Sequence, residues 1–204
     1  MTERRTMFDS LIYHALGRWR ARDLDPDRFH DLVDLWDMRV VLVTGRGKSI
    51  TQMHVDVRSL WRAPLKIVIP RGTAFSARGG HQNMATRREY VLDIEPGATR
   101  FVQVDVCCID GERPVPGTAD AFRGARRTKE ALTRFLEASD GHPPMTVQAG
   151  VWALSDGYGR EQIKRRLITL SGAGRASRGI SDADVDGAAR ILDRLDIPSP
   201  LSIR

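Results

Sequence analysis

The sequence lacks a long hydrophobic run, and its longest apolar segments are the short stretches at residues 40–43 and 67–69. A helix that crosses a membrane needs about 20 consecutive apolar residues, so none is predicted. The basic N-terminal segment also lacks the apolar stretch and small-residue cleavage site of a signal peptide. These absences predict a cytoplasmic protein without a membrane partner.

Cysteine is scarce as well, since the chain has 2 cysteines and they are neighbours, Cys107 and Cys108. Adjacent cysteines do not readily form a disulfide with each other, and they do not match the Cys-x-x-Cys spacing of zinc and redox sites. The 5 histidines are far apart in the sequence: His14, His30, His54, His81 and His142. We therefore expect reduced thiols, no metal site and no cofactor.

Lysine is rare too, and most of the positive charge behind the net charge of +6 is arginine. An arginine-rich surface binds polyanions such as nucleic acid in a salt-dependent manner. The basic residues are, however, interspersed with 26 acidic residues, and Trp19 is the only aromatic residue in the densest basic clusters. Sites for single strands place several aromatics among the cations, so solvated surface charge is the simpler interpretation and nucleic acid a secondary candidate partner.

Hydrophobic periodicity changes along the chain. Helical spacing predicts two helices within residues 6–36, the second starting near Pro26 with Phe29 and Trp36 on its apolar face. Short β-branched runs between Gly, Pro and charged turns then predict strands at residues 39–44, 49–57, 65–70, 89–94 and 100–109.

From residue 119 onward, helical spacing returns and predicts helices around residues 131–136, 147–154, 163–170 and 185–195, with an N-cap at Ser181 for the last. Residues 172–179 are glycine-rich and are expected to be a connector. We predict an α+β protein with an antiparallel β-sandwich or barrel-like core. Its expected parts are a helical lead-in at 1–37, the β-rich core at 38–118, and a helical region at 119–204 packed on that core.

One glycine-rich segment ends like a phosphate-binding loop, with Gly45-Arg-Gly-Lys-Ser after a predicted strand. That loop also needs a glycine where this chain has Leu42, and a helix where this chain has another predicted strand. The segment is therefore interpreted as a glycine-rich hairpin turn.

The strand that contains the two cysteines separates them onto opposite faces, because side chains alternate along a strand. Cys108 lies on the face of Val104 and Val106, whereas Cys107 lies on the face of Gln103 and Asp105. We therefore expect the Cys108 side chain to point towards the core at the end of its strand.

Residues 106–116 read Val-Cys-Cys-Ile-Asp-Gly-Glu-Arg-Pro-Val-Pro, and residues 147–152 read Val-Gln-Ala-Gly-Val-Trp. These two segments resemble motifs of bacterial thioester domains, in which a strand-end cysteine is joined to the glutamine of a Thr-Gln-x-Ala-Ile-Trp-like motif. Upstream, Ile-Pro-Arg-Gly-Thr-Ala-Phe at 69–75 and His-Gln-Asn-Met at 81–84 are similar to the β-sandwich portion beside those motifs. The resemblance covers about residues 60–160.

This resemblance implies that Cys108 and Gln148 form a reactive thioester, with Cys107 the poorer match and Trp152 an apolar wall beside it. The implied activity is a single-use covalent capture of an amine-bearing protein partner. The sequence departs from the pattern at Val147, where the motif has threonine, and at Gly150, where it has alanine. The cysteine-to-glutamine separation is also short, and the best-known members act outside the cell.

Two other functions fit the same residues. The protein could be a non-covalent module that binds a protein or nucleic acid, with Cys108 as a small core residue and Gln148 either capping a loop or facing solvent. It could also be an enzyme in which His81 or His142 is the base for a Cys108 nucleophile, with Asp110 nearby. No spacing selects the enzyme, so turnover catalysis is the least favoured of the three.

Overall fold

The computed structural model describes residues 24–166, 168–170 and 176–202. The strands are, in chain order, β1 (Phe29–Asp31), β2 (Val41–Ser49), β3 (Gln52–Ser59), β4 (Leu65–Ile69), β5 (Thr73–Ala77), β6 (Asn83–Thr86), β7 (Tyr90–Ile94), β8 (Thr99–Ile109), β9 (Ala121–Arg127), β10 (Ile168–Leu170) and β11 (Ala176–Arg178). The helices are α1 (Leu32–Asp37), α2 (Glu130–Ala138), α3 (Pro144–Ser155), α4 (Arg160–Arg166) and α5 (Asp182–Arg194). The predicted α+β class is confirmed.

Six strands close into an antiparallel barrel in the order β2-β3-β8-β6-β5-β9, and β9 pairs back to β2. Residues along β2 and β3 alternate between buried and more exposed positions, as expected when one face of each strand lines the interior. The barrel core is formed by apolar side chains that point inward: Val41, Val43, Met53, Val55, Val57, Phe75, Met84, Val104, Val106, Cys108 and Phe122. The sequence predicts a β-sandwich or a barrel-like core, and the central sheet is a barrel.

A second, three-stranded sheet has the order β1-β4-β7, with β1 parallel to β4 and β4 antiparallel to β7. Its buried residues join the barrel core together with residues of α1: Leu32, Leu35, Leu65, Ile67, Ile69 and Ile94. The α1 helix begins after Asp31, whose carboxylate accepts a hydrogen bond from Val33 N at 2.7 Å, as an N-cap residue does.

The helices form a second hydrophobic core on the outside of the barrel, here called the helical core. It contains side chains from four helices and from the outer face of three strands: Ala74, Ala85, Cys107, Ile109, Phe135, Val147, Trp152, Ile163, Val185 and Leu192. Strands β5, β6 and β8 therefore separate the two cores. The site discussed below lies at this boundary.

Five predicted strands match β2, β3, β4, β7 and β8, whereas β5, β6 and β9 were not predicted. The helical region expected from residue 119 onward also contains strand β9, which completes the barrel. Its sequence, Ala-Phe-Arg-Gly-Ala-Arg-Arg, contains one large apolar residue, so its periodicity is weak. Pairing with β2 and β5 stabilises the strand instead.

Two helix predictions also need correction. The helix expected to start near Pro26 begins at Leu32, because residues 29–31 pair with β4, and Phe29 is 55% exposed instead of lying on an apolar helix face. The helix expected at 163–170 ends at Arg166, and residues 168–170 form β10. The first predicted helix and residues 172–175 of the predicted connector lie outside the described residues, and residues 176–178 of that connector form β11.

The glycine-rich segment lies within β2, and the hairpin turn comes later, at residues 50–51. Gly45 packs tightly, since a Cβ there would come within 2.7 Å of Met53 Cε and 2.9 Å of His54 O. Close packing of the strands accounts for this glycine, and no bound phosphate is needed to explain it.

Among the helices of the described ranges, none is long and apolar enough to cross a membrane.

Candidate functional site

The two cysteines lie at the end of β8 and face different cores. Cys107 belongs to the helical core and Cys108 to the barrel core, as the alternation of the strand predicts. Both are buried, with relative exposures of 2% and 0%, and both are free thiols.

The side chain of Gln148, in α3, makes two hydrogen bonds to the backbone of Cys108. Cys108 N donates to Gln148 Oε1 at 2.9 Å, and Gln148 Nε2 donates to Cys108 O at 2.7 Å. Gln148 is only 2% exposed. The two bonds therefore satisfy the Cys108 N–H and C=O and the Gln148 carboxamide in a place where water does not. The residues paired by the sequence resemblance are thus direct neighbours, 40 positions apart in the chain.

The end of strand β3 explains why Gln148 is needed there. Strand β8 pairs with β3 through residues 99–105, and Val106 N then donates to Thr51 O at 2.8 Å. Because alternate N–H groups of a strand point to the same side, Cys108 N–H lies on that edge, beyond the β3 hairpin. The Gln148 carboxamide supplies the donor and the acceptor that another strand residue would supply.

The Cys108 thiol does not share this edge. Its Sγ lies 3.9 Å from Ile50 O, at the tip of the β2–β3 hairpin, and its side chain belongs to the barrel core. The carboxamide therefore contacts the backbone of Cys108, whereas the thiol is directed into the barrel. The bonded backbone and the thiol belong to the same residue, Cys108. The distance between the thiol and the carboxamide is therefore set by the Cys108 side chain and the Gln148 rotamer.

Burial keeps both thiols protonated near neutral pH. It raises the pKa of Cys107 to about 12 from the ordinary value of 9.0, despite a nearby Arg87 that lowers it. Burial also raises the pKa of Cys108, with a further increase from the charge of Cys107. A neutral thiol is a weak nucleophile, so both cysteines react slowly while they are buried and protonated.

We expect the raised pKa of Cys107 to make the fold less stable in alkaline solution. Above about pH 9 the unfolded chain loses the Cys107 proton and the folded chain keeps it until about pH 12. The free energy of unfolding therefore falls with rising pH in this window, by up to about 1.4 kcal/mol per pH unit for this thiol. Urea unfolding of wild type and Cys107→Ala at a series of alkaline pH values measures it. The variant should lose that part of the slope, and equal slopes would contradict the assignment.

Trp152 lies one helical turn after Gln148 and is fully buried in the helical core. Its Nε1 donates to Gln82 Oε1 at 3.3 Å, and Gln82 Nε2 donates in turn to Arg113 O at 2.8 Å. Gly111 allows this packing, because a Cβ at that position would come within 3.1 Å of Trp152 Nε1. Trp152 thus connects α3 to the loop that follows β8.

Gly150 departs from the alanine of the thioester-domain motif for a steric reason. The ring of Phe135, in α2, occupies the space that a Cβ on Gly150 would need. Both residues are buried in the same region between α2 and α3. The glycine therefore allows two helices to approach closely, and the departure reflects packing.

Neither histidine of the predicted site contacts the cysteine. His81 Nδ1 lies 3.1 Å from Asp120 Oδ1, outside hydrogen-bond geometry. The backbone carbonyl of His142 accepts from Arg87 Nη2 at 3.4 Å. Among the described hydrogen bonds and ion pairs, none joins His81 or His142 to Cys108 or Gln148.

Two residues of this region were not predicted from sequence. Gln82 is 2% exposed and links Trp152 to the loop. Asn83 accepts from Ala77 N at 2.8 Å and donates to the Asp110 carboxylate. Both lie in the His-Gln-Asn-Met segment that contributed to the family resemblance, which is the one sequence signal that points to them.

Comparisons of the chain with protein-family models, with curated proteins and with solved structures found no match. Within the described residues, no group of three or more His, Cys, Asp or Glu side chains is placed to hold a metal ion.

Proposed function

We propose that Cys108 and Gln148 form an internal thioester that captures an amine-bearing protein partner in a single-use reaction. The observation that carries this proposal is the pair of hydrogen bonds between the Gln148 carboxamide and the backbone of Cys108. It places the two residues of the thioester-domain resemblance side by side in a buried site.

The chemistry needs no cofactor. Cys108 Sγ attacks Gln148 Cδ, the Sγ–Cδ bond forms, the Cδ–Nε2 bond breaks, and the thiol proton leaves with the nitrogen as ammonia. A partner's amine then attacks Cδ, the amide C–N bond forms, the Sγ–Cδ bond breaks, and a proton of the amine goes to Sγ.

Burial has two consequences for this reaction. It excludes water, which protects a thioester from hydrolysis, but it also raises the pKa of the Cys108 thiol and makes its attack slow. The Gln148 carboxamide must also turn from the backbone edge towards the barrel side. The nearby hairpin tip, at the half-buried residues Ile50 and Thr51, is the route by which an amine reaches the bond.

The intact mass of the native protein, with and without methylamine, tests the proposal. We expect a mass short by one ammonia that increases by one methylamine on treatment. Cys107→Ala is the matched control because it removes the neighbouring thiol, which faces the helical core, and it should behave like wild type. Cys108→Ala should show neither effect. A full mass in all three proteins, or a deficit that disappears in Cys107→Ala, would exclude a Cys108 thioester.

The alternative is a non-covalent module in which Gln148 only stabilises the end of β8. The same hydrogen bonds fit this function, and the protonated thiols favour it. It predicts a full mass that is insensitive to amines.

A further inference from the structure

Basic side chains that are distant in sequence lie together on the outside of the barrel. Arg46 in β2 is opposite Ala121 in β9, and Thr44 is opposite Arg123, which makes Arg46 and Arg123 diagonal neighbours. The same row continues from Arg123 to Ser76 in β5, and Arg78 N donates to Ala121 O at 2.8 Å. Strand pairing therefore concentrates charges that the sequence shows as dispersed.

Two open grooves follow this surface. One has a volume of about 510 Å³ and is lined on its basic side by Arg78, Arg123 and Arg126. The other has a volume of about 470 Å³ and is lined by Arg46, Lys48 and His54. We call the six residues together the basic face: Arg46, Lys48, His54, Arg78, Arg123 and Arg126.

Little in the described structure neutralises the basic face. Within the described ranges, its four arginines have no ion-pair partner at 4.0 Å or less, and Lys48 Nζ donates to the neutral Gln103 Oε1 at 2.7 Å. The acidic residues that line the grooves are Asp37 in the first and Asp56 in the second. The excess of cations favours an anionic ligand.

An exposed aromatic ring lies beside these cations. Phe101 in β8 is opposite Asp56 in β3, lines the same groove as Arg46 and His54, and is 76% exposed. An aromatic ring in a positively charged groove is the arrangement on which unpaired bases stack. The row from Ser76 to Phe101 crosses five of the six strands of the closed barrel. The surface therefore curves around the barrel, along a path of about 19 Å at about 4.8 Å per strand.

We propose that the basic face and Phe101 bind single-stranded nucleic acid. The cations contact phosphates, and Phe101 stacks on a base. A duplex would leave Phe101 without a partner because its bases are already stacked, and an acidic peptide would use the charges but not the ring. This site lies on the barrel exterior and is independent of the proposed thioester.

Fluorescence anisotropy with a labelled single-stranded oligonucleotide of about 15 bases tests the site. We expect binding at low salt that weakens roughly 50-fold between about 50 and 200 mM salt if four cations contact phosphates. Arg46→Glu/Arg123→Glu should weaken binding at least tenfold. Phe101→Ala, at an exposed position, should weaken it about tenfold through the lost stacking.

The matched control is Arg165→Glu/Arg190→Glu, which makes the same charge change at exposed positions of α4 and α5. It should bind like wild type. No binding at low salt, or equal weakening by both double variants, would overturn the proposal. Equal affinity for polyglutamate together with no effect of Phe101→Ala would assign the surface to an acidic protein instead, and equal affinity for the duplex would also contradict it.

Discussion

Replacing Gln148 with alanine should lower the free energy of unfolding by roughly 2–6 kcal/mol relative to protein whose Gln148 carboxamide is intact. The substitution leaves the N–H and the C=O of Cys108 buried without their partners, and each unsatisfied buried group costs about 1–3 kcal/mol. The hydrogen bonds measure 2.9 and 2.7 Å and lie on the β8 edge opposite β6, beyond the end of its pairing with β3. Urea unfolding monitored by circular dichroism measures the change.

Gln162→Ala is the control for this prediction, since Gln162 is an exposed glutamine in α4 that bonds Gly159 N at 3.0 Å. Loss of an exposed hydrogen bond should cost well under the Gln148 value, about 0.5–1 kcal/mol. A Gln148→Ala protein as stable as Gln162→Ala would mean that the carboxamide does not bond the strand edge.

Replacing Trp152 with alanine should be equally damaging, with a loss of about 3–5 kcal/mol. Trp152 is the largest of the fully buried side chains among the described residues, and its removal leaves a cavity in the helical core. It also removes the donor to Gln82 Oε1. The loss is measured by the same unfolding experiment.

Trp152→Phe separates packing from hydrogen bonding, because phenylalanine retains most of the ring contacts and lacks the N–H. We expect it to lose about 1–3 kcal/mol, since it leaves Gln82 Oε1 without its donor. If Trp152→Ala and Trp152→Phe were equally stable, the ring would contribute no packing, contrary to its complete burial.

The sequence predicted the elements whose side chains repeat with a clear period. Strand β8 is the best example, since the alternation of its sequence predicts that Cys107 and Cys108 lie on opposite faces of the strand. Helix α5 is another, because Ser181 is its N-cap as predicted, and the structure adds a capping box between Ser181 and Asp184. In both cases local physics and tertiary structure favour the same conformation.

The elements that were missed depend on contacts with distant strands. Strand β9 has one large apolar residue, and β6 has four residues, so neither has enough local signal. The first forms because β2 and β5 leave a gap that it closes. Similarly, β1 replaces the start of a predicted helix because β4 pairs with it.

The two candidate sites differ in how much of each could be predicted from the sequence. Cys108 and Gln148 were paired by a family resemblance, and their backbone hydrogen bonds are a detail that no motif contains. The basic face could not be predicted, because its residues become neighbours only through the register of β2, β9 and β5. The dispersed arginines of the sequence favour solvated surface charge instead of a binding site.

Peptide mapping by mass spectrometry after methylamine treatment of the native protein tests the central claim most directly, because it locates the reactive atom. The thioester predicts a methylamide on Gln148 and a released thiol on Cys108, with Cys107 unchanged. An unmodified Gln148, beside two thiols that were free before treatment, would contradict the thioester and leave Gln148 as a structural partner of the β8 edge.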